Sequence, residues 1–296
     1  MVAVVSSPVG RSLASSCRLG SGLPPEARRI RLMPESRPPR PRSSDSPPPR
    51  KATPVAMAAR DAELMQWLAF DPEPEPIPCD DMARAQLARL SIEISADEEV
   101  LLARYLGMLF SINEKLNLTR IDRESAWSKH VVDSLTLLAP LASIEGVTTA
   151  IDIGSGGGLP AIPLAIARRE ISWTLLEATG KKARFLEAVS RRLGLDNISV
   201  LNMRAEVAAH GPLREHFNVS TSRAVGPLDG LARISIPFLK IGGMMLAIKG
   251  ERAGEEVISS KQPLYELHAQ VIGELKGETN TILVVEKTRR TPTKFP

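Results

Sequence analysis

Cysteine is nearly absent: the 296-residue chain has two, Cys17 and Cys79, and neither belongs to a Cys-x-x-Cys pair or a Cys/His cluster. That usage argues against a zinc site and against a disulfide framework, and it suits a compartment where thiols stay reduced, such as cytosol or plastid stroma. Long apolar runs are missing too. No stretch approaches the roughly 18 consecutive apolar residues of a membrane-spanning helix, and the start lacks the compact apolar core of a secretory signal. The sequence therefore predicts a soluble, intracellular chain with no membrane partner, and it carries no internal repeat.

Positive charge is in deficit everywhere except at the start. The formal net charge is +4, yet residues 1–60 hold 11 Lys+Arg against 3 Asp+Glu, which leaves residues 61–296 at −4. Any surface for a polyanion must then be a local patch on a mildly acidic body. Residues 1–56 contain 11 prolines and 10 serines, a composition that cannot offset its ordering entropy by burial. They are expected to be disordered, either as an organelle transit peptide or as sequence upstream of a true start at Met57.

From residue 57 to 145 apolar residues recur at helical spacing, as in Leu64, Trp67 and Leu68, then Leu101, Leu102, Tyr105, Leu106, Leu109 and Phe110. The run Asp71-Pro72-Glu73-Pro74-Glu75-Pro76 interrupts them and reads as an extended linker. Over 146–296 the pattern changes to short apolar runs alternating with helical stretches, the signature of βαβ units and a parallel sheet. Strands are predicted at Thr149 to Ile153, Trp173 to Leu176, Ile198 to Asn202, Val219 to Ser222, Met244 to Ile248 and Thr281 to Glu286. Helices are predicted to begin near Leu159, Lys181, Gly226 and Glu251.

The strongest local signal is Ala150-Ile151-Asp152-Ile153-Gly154-Ser155-Gly156-Gly157-Gly158-Leu159-Pro160, a buried strand running into glycines and then a helix. Glycines let a backbone turn sharply and approach a ligand closely. About 20 residues on, Glu177 ends the next strand, where a carboxylate can accept both hydroxyls of a ribose. From Gly154 the spacing is G-x-G-x-G with Leu159 at the sixth position, which favours S-adenosylmethionine. Read from Gly156 it becomes G-x-G-x-x-A through Ala161, so the loop alone leaves a dinucleotide site open. Pro160 withdraws one N–H from any pyrophosphate cradle at the helix start.

Several segments together resemble the RsmG (GidB) methyltransferases, which modify guanine N7 in small-subunit ribosomal RNA. They are Asn113-Glu114-Lys115-Leu116-Asn117-Leu118-Thr119, Lys129-His130-Val131-Val132-Asp133-Ser134, the loop from Asp152 through the double-proline run Leu159-Pro160-Ala161-Ile162-Pro163-Leu164, Gly180 to Leu186, Arg204-Ala205-Glu206, Thr221-Ser222-Arg223-Ala224 and Lys249-Gly250. Ala161 stands where the family usually has glycine, and Glu177 where aspartate is common. The resemblance implies an α/β fold, a Rossmann-like class I S-adenosyl-L-methionine-dependent methyltransferase sheet with a helical N-terminal extension. It also implies methyl-donor contacts at Gly154, Leu159, Ala205, Glu206 and Arg223 beside the ribose acceptor Glu177. Small-subunit ribosomal RNA or the ribosomal subunit is the expected partner. A monomer in the bacterial cytoplasm is expected, with chloroplast stroma as the other compartment.

Local sequence leaves other roles open for two of these residues. Glu206 also suits a helix start stabilised by the helix dipole, and Arg223 can hold a donor carboxylate or an RNA phosphate. Guanine N7 has an exposed lone pair and needs no general base, so no catalytic acid or base is assigned. The chain lacks an Asn/Asp-Pro-Pro-Tyr run, which argues against exocyclic amines. Asn117, His130 and Asp133 are candidates to frame the base; Lys129 with Asp133 as a surface pair is the alternative. Arg120, Arg123, Lys181, Lys182, Arg184, Lys249 and Arg252 are candidate phosphate contacts. A methyltransferase for a small molecule or protein, a noncatalytic ligand- or RNA-binding module, and a nicotinamide enzyme remain as alternatives.

Overall fold

The computed structural model describes residues 54–277 and 280–296, with side chains from residue 61 onward. The expectation of a structureless tail over 1–56 falls, up to residue 53, outside the described residues. Among the described residues no helix is long and apolar enough to cross a membrane.

The first half is helical: α1 (Pro54–Trp67), α2 (Asp81–Arg89), α3 (Ala96–Leu116), then one turn of π-helix (Trp127–Val132) leading into α4 (Asp133–Leu135) and α5 (Leu138–Ala142). Sequence fixes the ends of α3 locally. Ser95 accepts from the Glu98 amide while the Glu98 carboxylate accepts from the Ser95 amide, a reciprocal cap that satisfies two otherwise orphaned donors. At the other end Asn117 closes the helix at φ +50°, a left-handed conformation that asparagine tolerates. The proline-interrupted segment runs extended between α1 and α2, and Ile77 at its end accepts from the Trp127 indole at 2.7 Å.

The second half alternates: β1 (Thr149–Ile153), α6 (Ala161–Ala167), β2 (Ser172–Leu176), α7 (Gly180–Leu193), β3 (Ile198–Leu201), α8 (Ala205–Ala208), β4 (Phe217–Arg223), α9 (Leu228–Ser235), β5 (Leu239–Lys249), α10 (Ala253–Ser259), α11 (Lys261–Glu266), β6 (Ala269–Lys276) and β7 (Thr281–Lys287). Seven strands form one sheet in the order β3-β2-β1-β4-β5-β7-β6. The pairs from β3 through β5 are parallel, and β7 runs antiparallel to both neighbours. The expected α/β class is therefore observed. β1 sends its chain to β2 on one side, and β4 returns on the other, so a crevice opens at the carboxyl end of β1, where α/β sheets hold ligands.

β6 was not expected. Its burial alternates only at its start and then stays exposed, and Gly273 interrupts it, which is the weak pattern of an edge strand. Helices α6, α9 and α10 also begin two residues later than the sequence suggests, at Ala161, Leu228 and Ala253.

One apolar core joins the two halves. Leu102, Tyr105, Leu106 and Leu109 of α3 and Trp127 share a cluster with Leu164 of α6, Phe185 of α7 and Trp173 of β2. Each such aliphatic or phenyl side chain contributes about 1.5–3 kcal/mol when removed from water. A second cluster packs α9 and α11 against β5 and β7.

Candidate active site at the carboxyl edge of the sheet

The glycine loop is held from three sides. Gly154 has φ +68° and Gly158 φ +95°, conformations that L side chains rarely adopt, and a Cβ on Gly158 would overlap the Ile162 side chain. From the sheet, Glu177 receives the Gly156 amide on one carboxylate oxygen at 2.9 Å and the Thr179 amide on the other at 2.7 Å. From the helical half, the buried Tyr105 hydroxyl donates to the Gly157 carbonyl at 2.8 Å. A Cβ on Gly157 would come within 2.9 Å of Leu109, so α3 sits directly on the loop.

Beneath the loop, Asp152 is fully buried. One carboxylate oxygen accepts from the Thr221 hydroxyl at 2.7 Å, and the other has no partner. Burial pushes its pKa up to about 7, against the opposing pull of Thr221, Ser155 and the Arg223 charge.

Arg223, at the end of β4, reaches across to the π-helical turn. It donates to the Lys129 carbonyl at 2.7 Å and lies 3.1 Å from His130 Nδ1. A guanidinium can only donate, so Nδ1 accepts and the imidazole proton lies on Nε2. Nε2 in turn donates to the Thr119 hydroxyl at 2.9 Å. Thr119 is fixed because the Asn113 side chain accepts from the Leu118 and Thr119 amides and donates to the Thr119 carbonyl. Burial, with the Arg223 charge adding to it, pushes the His130 pKa down to about 3, so the ring is neutral. Burial also lowers the Arg223 pKa from its ordinary value.

The predicted ligand residues fall into two groups. Gly154, Ala205 and Glu206 line one cavity of about 160 Å³, with Ile153, Leu176 and Val225 among its apolar walls. Glu177 is close by at the end of β2, bonded to the loop. Leu159 is buried in the main core under the loop. Arg223 is apart from that cavity, on the side facing the helical half.

The polar trio expected around the base does not converge. Asn117 is exposed and serves as the α3 cap, and Asp133 accepts from Asn280 at 3.0 Å with its charge acting on Arg223, while His130 bonds Arg223 directly. Among the expected phosphate contacts, Lys249 needs correction: it is buried, 2.9 Å from Glu256 and bonded to the Gly226 carbonyl, so its charge is spent inside the fold. Arg184 pairs with Asp61 at 2.8 Å. Arg120, Arg123, Lys181 and Arg252 are exposed, and Lys182 is half-buried. Sequence reasoning missed Tyr105, which reads only as an apolar helix position, and Thr221, whose partner Asp152 lies 69 residues away in sequence.

The switch-point crevice, the glycine loop, the carboxylate ending β2 and the reversed β7 define an S-adenosylmethionine-dependent methyltransferase with a Rossmann-like sheet. A family model described as rRNA small subunit methyltransferase G matches residues 98–280. Ribosomal RNA small subunit methyltransferase G of Sorangium cellulosum is 42% identical over 212 residues, which are 71% of this chain and 89% of that protein. The protein of the same name from Desulfitobacterium hafniense is 40% identical over 224 residues, 73% of this chain and 92% of its own. Among solved structures, a SAM-dependent methyltransferase from Aquifex aeolicus is 15% identical over 55% of this chain and 93% of its own, with a TM-score of 0.45. This chain belongs to the rRNA small subunit methyltransferase G family.

Proposed function

We propose that this chain transfers the methyl group of S-adenosylmethionine to N7 of a guanine in small-subunit ribosomal RNA. The observation that carries the reading is family membership across residues 98–280, a span that contains every residue of the crevice from Gly154 to Arg223.

The residues present fit the methyl donor. The cavity beside Gly154 has apolar walls and a polar rim, and the partnerless oxygen of Asp152 leaves an acceptor unsatisfied beneath the loop. Gly154, Leu159, Glu177, Ala205, Glu206 and Arg223 would hold the group. Glu177 and Glu206 offer carboxylate acceptors, and the amides near Ala205 offer donors for a ring nitrogen. When bound, S-adenosylmethionine supplies an electrophilic methyl group on a sulfonium.

Guanine N7 brings its own lone pair, so the protein has to align and to tolerate positive charge rather than remove a proton. The site agrees with that division of labour. His130 has both ring nitrogens engaged and a pKa far below the working range of a general base. Arg223 commits some of its five N–H groups to Lys129 and His130, leaving others for a carboxylate or a phosphate.

The chain is taken to act as a monomer. The bacterial relatives support the bacterial cytoplasm as the compartment. The test is transfer of labelled methyl from S-adenosylmethionine to small-subunit ribosomal RNA, followed by chemical cleavage at 7-methylguanine. Wild type is expected to label one guanine and Arg223→Ala to lose most of that label. Methyl-donor binding without label on RNA or intact subunits would overturn the reading.

A further inference from the structure

We propose a second RNA contact at the sheet edge opposite the crevice, in the cleft between α11 and the start of β6. It rests on the reading of ribosomal RNA as substrate and adds a site that the methyl-transfer chemistry does not use.

The cleft has a volume of about 390 Å³, and Lys261, Tyr265, His268, Gln270 and Arg289 supply its polar and aromatic lining, with no carboxylate among the lining residues. That is unusual on a body whose residues 61–296 sum to −4. Lys261 and Arg289 are exposed and form no ion pair among the described residues. Two further cations flank them under loose restraint: Arg290 is 82% exposed at 3.7 Å from Glu215, and Lys294 is 65% exposed at 3.8 Å from Glu266. The chain from Lys287 to Pro296 contains four cationic residues and no acidic one.

Tyr265 is 70% exposed, an unusual state for an aromatic ring that nothing in the fold covers. An exposed ring beside unpaired cations is the arrangement that stacks an unpaired base while neutralising its phosphates. His268 is held at φ +59° with Nδ1 2.6 Å from the Arg290 carbonyl, so Nδ1 donates and Nε2 is left to accept from a base edge. Near the crevice, Lys249 and Arg184 are paired within the protein, while Arg120, Arg123, Lys181 and Arg252 are exposed.

Strand register puts this cleft far from the methyl-transfer site. Ala269 pairs with Lys287, beyond the Met244–Glu286 pair, whereas Lys249 at the crevice end pairs with Thr281. Five residue steps along β5 and four strand spacings across the sheet separate the two by on the order of 25 Å. The ligand that fits both is one folded RNA with an unpaired base displayed away from its target guanine.

The experiment measures binding of full-length small-subunit ribosomal RNA to the full chain over a salt series. Wild type is compared with Lys261→Ala/Arg289→Ala and with Tyr265→Ala. The double variant is expected to bind about tenfold more weakly, and the slope of log K against log salt should shrink by about 1.5, near 0.7–0.9 per lost cation. Tyr265→Ala is expected to weaken binding about fivefold or more with the slope unchanged. S-adenosylmethionine affinity should stay at the wild-type value in both, which controls for folding. Unchanged RNA affinity and slope would overturn the proposal. So would a loss seen on assembled subunits and not on naked RNA, which would assign the cleft to a ribosomal protein. Wild type that binds the RNA but methylates nothing would remove the functional reading and leave this contact standing; wild type that does not bind it removes the contact.

Discussion

His130 and Asp152 both feel the Arg223 charge, and they pull stability in opposite pH directions. His130 falls from its ordinary 6.5 to about 3 on folding, so its contribution is complete above pH 6.5 and is lost as pH drops toward 3. Asp152 rises from 3.8 to about 7, so its contribution is complete below pH 3.8 and is lost as pH climbs through 7. Each slope is about 1.4 kcal/mol per pH unit, and between pH 4 and 6.5 the two cancel. Asp152→Asn is therefore expected to leave a stability that falls with acid across that window, and His130→Gln one that rises with acid. Denaturant melts at several pH values read the slope directly. A wild-type slope in Asp152→Asn would show that folding does not raise the pKa of this carboxyl.

At the scale of elements, α3 and the glycine loop form one working part. Tyr105→Phe keeps the ring packed and removes only the hydroxyl that serves the Gly157 carbonyl, leaving a buried acceptor unsatisfied at a cost of about 1–3 kcal/mol. Methyl-donor affinity is expected to fall together with stability, measured by calorimetric titration and thermal melts; loss of stability alone would mean that the loop holds its shape unaided. How much of this was legible in sequence depends on range. The β1 loop and helices α6, α7, α9 and α10 announce themselves through local residues, because glycine and proline act within a few positions. Tyr105 on Gly157 and Thr221 on Asp152 are invisible for the opposite reason: their partners lie 52 and 69 residues away. β6 escaped because most of it is exposed, so its sequence shows little alternation. Lys249 was misjudged as a free cation since nothing local to it reveals Glu256.

The described residues from Pro54 onward form one compact unit, although the sequence changes character near residue 146. A core that runs from Leu64 in α1 to Ile282 in β7 gives the helical half no independent interior to retain when the sheet melts. Thermal unfolding of the full chain is accordingly expected to show coincident midpoints by far-ultraviolet circular dichroism and by tryptophan emission. Two separated midpoints would mean that the halves fold apart. The placement of the indoles makes that comparison sharp. Trp127 sits in the turn next to Lys129 and His130 with its N–H bonded to Ile77, whereas Trp173 lies in β2 with its N–H buried and unpartnered. With Trp67 at the end of α1, the chain carries three tryptophans, two in the helical half and one in the sheet. Replacing Trp67 and either Trp127 or Trp173 by phenylalanine turns the other into a single-site spectroscopic reporter: Trp127 for the arm that grips Arg223, and Trp173 for the sheet itself.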